Sequence, residues 1–475
     1  MKIFNLFSLL LLINAGLLAQ SNTESYENQF NRAEKIFSEV YKDEKDESMS
    51  LSKLGYAPAR PIFVSLFEQD PANMNIACKL GICFLGSRKD RAQAIPYLEK
   101  AVTSVSDNSN TDSYTEKKAP VIAFKLLGDA YHLNNEFDKA IVAYENYIAA
   151  AGNKNSSKAV IEMAKRKIEM CKVGKVLMAN PVKLKIQNLG SSVNSAYADY
   201  SPVISADQQT LFFTSRRPET TGGQKDSDGN NMEDIYKSDK TSTGWAKASN
   251  IGTRINTEWH EATVGASPDG QMILIYKDDM GDGNIYSTIL DGDVWSSPIK
   301  LNDNINTKHW EPSAFISADG NTLYFTSDKP DGFGGRDLYT SKKTSEGDWG
   351  KAVNMGANIN TKYDEDSPFI HHNGRALSFS SSGHNTMGGF DIFTSLLSED
   401  GSWSEPVNAG SPINTSDDDI FYVMSPDNLN AYLSSYREGG FGEKDNYLVT
   451  FLDRKGTPLT LVKGFVKDES GLAPK

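Results

Sequence analysis

Ile359–Ser395 reads INTKYDEDSPFIHHNGRALSFSSSGHNTMGGFDIFTS, and its parts recur in the same order four more times after residue 190. An aliphatic residue, Asn, and then Ser or Thr stand at Asn194-Ser195, Asn256-Thr257, Asn306-Thr307, Asn360-Thr361 and Asn414-Thr415. Five positions beyond each Asn comes an acid: Asp199, Glu261, Glu311, Glu365 and Asp419. A turn follows (ADQQ, PDG, ADG, HNG, PDN), then an apolar, Ser/Thr-rich strand, then a Gly-rich loop. The unit ends on an acid-x-aromatic step: Asp234 to Tyr236, Asp337 to Tyr339, Asp391 to Phe393 and Asp445 to Tyr447, with Asn284 replacing the acid in the second copy. Trp245, Trp295, Trp349 and Trp403 close four of the copies.

The Asn-to-Asn intervals are 62, 50, 54 and 54 residues, so the variation falls in loops. Self-similarity on this scale, built of short strands, predicts a β-propeller. Five copies predict five blades over residues 179–458, with six as the alternative. No Trp-led strand follows the fifth copy, whereas Val182 to Ile186 alternates with a period of two before the first. That strand is expected to pair with the segment near Tyr447 to Phe451 and close the ring, removing two open sheet edges.

Residues 21–178 carry helical periodicity. Leu127-Gly128, Tyr131, Ala140 and Tyr144 are spaced as in a tetratricopeptide repeat, in which small residues let two helices approach and large ones fill the gap. Phe124 takes the large first-helix position. Leu80-Gly81, Phe84, Ala94, Leu98 and Ala101 form an earlier unit; Ala59, Phe63 and Pro71 form a half-unit, and Ser157 to Met178 a cap. The fold class is thus an N-terminal tetratricopeptide-like α-solenoid followed by a propeller. A groove around Phe124 and Tyr131 is a candidate peptide-binding surface, with a rigid spacer as the equal alternative. Ser104 to Lys118 is polar enough to read as a mobile loop.

Residues 1–20 read as a secretory signal: Lys2, an apolar run from Phe4 to Leu18, then small residues. No other run is long enough for a membrane helix, so the mature chain is expected to be exported without a transmembrane segment. The net charge of −13 over 475 residues excludes a phosphate backbone as the principal partner. Cys78, Cys83 and Cys171 lack disulfide or metal spacing and read as buried apolar residues.

The patterns G-x-x-I-N-T-x-x-x-E, F-T-S and G-G-x-D-I-Y resemble WD-type repeats related to the Tol-system propeller protein. With the helical repeats in front, the chain resembles the outer-membrane-protein-A-family envelope proteins of the Bacteroidetes, some linked to type IX secretion. Residues 459–475, including Leu461 to Gly471, resemble the opening strand of the carboxypeptidase-regulatory-like β-sandwich that follows in that family. The resemblance implies a periplasmic or outer-membrane-associated scaffold whose partners are envelope proteins, peptidoglycan-associated or belonging to a secretion system.

Chemistry is weighed against that. One acid per blade at equivalent places reads as a turn-capping group, since acid–base catalysis needs unlike carboxylates with separated pKa values. Asp199, Glu261, Glu311, Glu365 and Asp419 also form a candidate binding ring, for a carbohydrate-binding or glycan-cleaving propeller acting through its channel. His260-Glu261 lacks the second His of a helical zinc motif. Asp226, Asp228 and Asn230 resemble part of a calcium loop without its twelve-residue pattern and read as a solvated turn. The Gly-rich runs Gly332 to Gly335 and Gly388-Gly389 read as turns requiring positive φ. No cofactor and no catalytic residue is assigned. The long insertion Arg216 to Glu233 is the expected contact edge.

Overall fold

The computed structural model describes residues 24–43, 58–87, 89–152, 158–226, 229–267, 270–278 and 283–457. The expected signal, the sandwich strand of 459–475 and Asp228 lie outside them. Two compact units divide at Cys171/Lys172, inside the last helix rather than at its end.

The first unit is helical: α1 Tyr26–Asp43, α2 Arg60–Gln69, α3 Met74–Leu85, α4 Ala94–Ala101, α5 Ala123–Leu133, α6 Phe137–Ala151, with α7 Lys158–Ala179 crossing the division. Consecutive helices α1 to α6 pack on one another. The small residues decide how closely. A Cβ on Gly128 would lie 2.6 Å from the Tyr144 ring, and one on Gly81 2.4 Å from Leu98, so any side chain there would drive the paired helices apart. Tyr144 is fully buried and donates its hydroxyl to Asp129 at 2.8 Å. All three cysteines are buried and free, and burial pushes each thiol up to about 12. Ser104 to Lys118 departs from the expectation of a mobile loop. Val105–Ser106 pairs in parallel with Ala119–Pro120, the Met74 amide donates to the Lys117 carbonyl at 2.9 Å, and Asn75 Nδ2 donates to the Thr111 carbonyl at 2.9 Å.

The second unit is a five-bladed propeller. Its antiparallel sheets begin with Asp199–Ile204, Glu261–Ala266, Ala314–Ile316, Glu365–Ile370 and Asp419–Met424, and these first strands touch in cyclic order. Second strands such as Thr322–Ser327 and third strands such as Asp337–Lys342 follow outward. Leu184–Asn188 is the outermost strand of the fifth blade, pairing antiparallel with Asp445–Phe451 in the register Leu184 to Phe451 and Ile186 to Val449. The ring therefore closes on strands from both ends of the unit. The described residues form no sixth blade.

The repeated Asn explains the seams. Asn360 accepts from the Leu338 amide at 2.8 Å and donates to the Leu338 carbonyl at 3.0 Å, so its side-chain amide substitutes for a peptide group between two blades. Asn256 brackets Ile235, Asn306 brackets Ile285, Asn414 brackets Ile392 and Asn194 brackets Asn446 in the same way. The Gly-rich loops reach the same seams. Gly334, Gly335, Gly388 and Gly389 do not take the positive φ expected of them. They are glycines because the next blade lies against them: a Cβ on Gly334 would stand 2.4 Å from the Thr361 carbonyl oxygen, and one on Gly388 2.3 Å from that of Thr415. Positive φ falls instead in the hairpins, at Gly320 and Gly374 and at Gln208 and Asn428 in the copies without glycine. Trp residues fill the outer seam, Trp295 edge-on to Phe212 of the preceding blade at 5.8 Å.

Candidate functional site

The five acids turn inward on their own blades. Each is fully buried and closes the Asn-Thr turn that precedes it. Glu365 accepts from the Thr361 amide at 2.7 Å, the Thr361 hydroxyl at 2.8 Å and the Ser381 hydroxyl at 2.6 Å. Glu311 and Asp419 repeat this with Thr307 and Ser327, and with Thr415 and Ser435. In Asp199, Glu261 and Asp419 a cation joins the set, Arg217 at 2.7 Å, Lys277 at 2.8 Å and Arg437 at 3.3 Å. Burial raises the carboxyls of Glu365 and Asp419 to about 7 and about 6. Groups so engaged are turn fasteners. The acids of the acid-x-aromatic step do the same for the Gly-rich loops: Asp391 accepts from the Met387 amide and from Asn408 Nδ2, both at 2.8 Å.

What gathers at one site is a different set, drawn from the positions where the copies disagree. The residue before each acid is Ala198, His260, Trp310, Asp364 or Asp418, and the residue after it Tyr200, Ala262, Pro312, Asp366 or Ile420. The residue before each acid-x-aromatic step is Glu233, Gly283, Arg336, Phe390 or Lys444; its carbonyl accepts the amide of the next blade's acid in all five seams. These positions therefore ring one mouth of the propeller, where unlike side chains make its first three blades unlike the rest.

There, a cavity of about 320 Å³ is lined by Tyr200, Arg216 and Glu233 of the first blade, His260, Tyr276 and Asp278 of the second, and Trp310 before the third, with Phe421 opposite. Glu233 is its hub. It accepts the Tyr200 hydroxyl at 2.8 Å and pairs with Arg216 and with His260 Nδ1. Burial, followed by the charge of Arg216, lowers the pKa of His260, so the neutral ring donates its Nδ1 proton to the carboxylate. Burial opposes the Arg216 charge, yet Tyr200 and Asp226 beside it hold its pKa above the usual range. Tyr200 stacks on Phe421 with centroids 5.8 Å apart, and Trp310 Nε1 donates to the Tyr276 hydroxyl at 3.2 Å.

The pocket is blind. Behind it, Val203, Val264, Phe315, Phe369 and Val423 fill the axis and leave about 10 Å³, room for no more than about one water. Two strained residues help shape it: Ser201 and Phe421 take positive φ at bulges in their first strands.

Of the expected contact edge, Arg216 to Glu233, the two end residues line this pocket. Asp226 is engaged by Arg216 at 2.6 Å and by the Asn230 amide at 2.9 Å, a turn closed by an ion pair, and no metal-binding cluster occurs among the described residues. Phe124 is half-buried; Tyr131 is 7% exposed, with its hydroxyl donated to Glu99 at 2.5 Å, so it belongs to helix packing more than to a free surface. Sequence reading passed over Tyr200, Tyr276 and Trp310, named Arg216 and Glu233 only as the ends of the contact edge, and discounted His260. A column-by-column comparison of the five copies carries the signal that would have found them.

No protein-family profile matches the chain, and no curated protein sequence does. Among solved structures, TolB of Acinetobacter baumannii is similar at 12% identity over 62% of this chain and 70% of that one, with a TM-score of 0.36. An α-L-arabinofuranosidase of Lactobacillus brevis is similar at 14% identity over 59% of this chain and 95% of that one, with a TM-score of 0.37.

Proposed function

We propose that the chain is a non-catalytic interaction module of the cell envelope, in which the mouth of the propeller binds a segment of a protein partner and the helical unit, read as a tetratricopeptide-like solenoid, adds a second surface. One observation carries this reading: the residues that recur are consumed in holding the blades together, while Tyr200, Glu233, His260 and Trp310, from positions that differ between copies, meet in one blind, aromatic-walled pocket. Repetition supplies the frame and variation the specificity. Placement in the envelope rests on the signal-like sequence of residues 1–20, and no described helix is long and apolar enough to cross a membrane.

Cross-linking in envelope fractions tests it. A partner should be recovered with the full chain, and recovery should fall with Trp310→Ala but not with Val353→Thr on the exposed outer strand. Saturable glycan binding abolished by Trp310→Ala, with no protein recovered, would establish the carbohydrate-binding alternative instead.

A further inference from the structure

We infer that the pocket takes a basic side chain of the protein partner, arginine or lysine, lodged against its aromatic walls; this rests on the reading of the propeller as an interaction module. Three features point to a cation. Four aromatic residues, Tyr200, Tyr276, Trp310 and Phe421, line one cavity, and a cation over an aromatic face is attracted by the ring quadrupole. The charge-bearing side chains that line the cavity are unbalanced, with the acids Glu233 and Asp278 set against Arg216. The chain also packs its own arginine in this manner at the same mouth: Arg336 lies 5.0 Å over the Trp310 ring and 5.4 Å over Phe390, held by Asp366 at 2.5 Å and by Asp364.

A sugar fits the site less well. Hydroxyl recognition needs unused acceptors, and both oxygens of Glu233 are already engaged by Tyr200, Arg216 and His260. A cation needs ring surface and a negative field and no unused acceptor. The blind floor stops a threaded strand, whereas about 320 Å³ accommodates one long side chain with its flanking backbone. The overall charge of −13 would steer a basic partner toward the chain.

The test uses the ¹⁵N-labelled full chain, whose six Trp give six indole signals, Trp310 being identified by its loss in Trp310→Phe. N-acetyl-arginine amide and N-acetyl-lysine amide should move the Trp310 signal saturably, about tenfold more tightly than the serine and glutamate analogues. Asp278→Asn should weaken the arginine response, and added salt should weaken it in the wild type. Equal responses to serine or glutamate, or an arginine response that does not saturate, would overturn the inference. Should arginine fail while partner recovery still depends on Trp310, the interaction module stands and the basic side chain falls; should recovery fail as well, both fall.

Discussion

The seams between blades and the mouth of the ring are built from adjacent positions in the same five repeats, yet they follow opposite rules. At a seam, one chemical solution is used five times: an Asn amide bracketing a backbone group, an acid fastening the turn after it, and an amide donated across to the previous blade. At the mouth, the residue after the acid differs in every blade, and the residue before it is shared only by the fourth and fifth, as Asp364 and Asp418. A closed ring has to satisfy every buried backbone group at every seam, so drift there is costly. The mouth faces a cavity, where a change of side chain leaves the ladder intact. Repetition thus marks what holds the propeller together, and departure from it marks what the propeller presents.

The strongest way to break this comparison is to remove closure. Deleting residues 181 to 188 takes away the strand paired with Asp445–Phe451 and exposes that strand's edge. Calorimetry should show the propeller transition lowered by about 10 °C or more, with self-association on size exclusion. An unchanged midpoint in a monomeric deletion variant would mean that the fifth blade does not need its borrowed strand.

Next comes Asn360→Ala, which leaves the buried Leu338 amide without its acceptor and takes one donor each from the Leu338 carbonyl, which keeps the Met355 amide, and from Asn354. Denaturant unfolding should report a loss of about 2–4 kcal/mol.

Glu365→Gln should cost about 1–3 kcal/mol, because an amide nitrogen must replace one of two accepting oxygens among three donors. Its pH dependence sharpens the point. Burial raises the Glu365 carboxyl from 4.5 to about 7, so the folded state binds more protons than the unfolded state across that window. The wild type should therefore lose stability as pH rises from about 4.5 to about 7, and Asp419 and Asp391 act in the same direction. The Gln variant should lose less, making its deficit greatest near pH 4.5 and smallest above pH 7. A deficit that grows with pH would show that the ionised carboxylate, rather than the protonated one, is the favoured form in the fold.

The smallest stability effect is expected at the mouth. Trp310 is 40% exposed, and Trp310→Ala should change the unfolding free energy by about 1 kcal/mol or less.

Much of this architecture was legible because the ring repeats itself. The Asn-Thr steps and their acids gave the blade count, and the alternation at Val182 to Ile186 gave the closing strand, which pairs from Leu184 to Asn188. Gly81 and Gly128 marked where helices come close. The rest depends on neighbours that composition does not name. Ser104 to Lys118 is polar, but its polar groups meet Met74 and Asn75 some forty residues earlier. Gly334 and Gly388 suggested turns, although what demands glycine is the backbone of the next blade. The pocket assembles Tyr200, Glu233, His260 and Trp310 from three copies, at positions that a repeat pattern leaves blank. Asp226 suggested a cation, and the cation it meets is Arg216.

The most direct test of the division between frame and mouth is to measure unfolding free energy and partner binding side by side on Asn360→Ala and Trp310→Ala. The account predicts that Asn360→Ala loses stability while the folded fraction binds as the wild type does, and that Trp310→Ala keeps its stability and loses binding. A Trp310→Ala chain that binds normally, or an Asn360→Ala chain that is as stable as the wild type yet fails to bind, would contradict it.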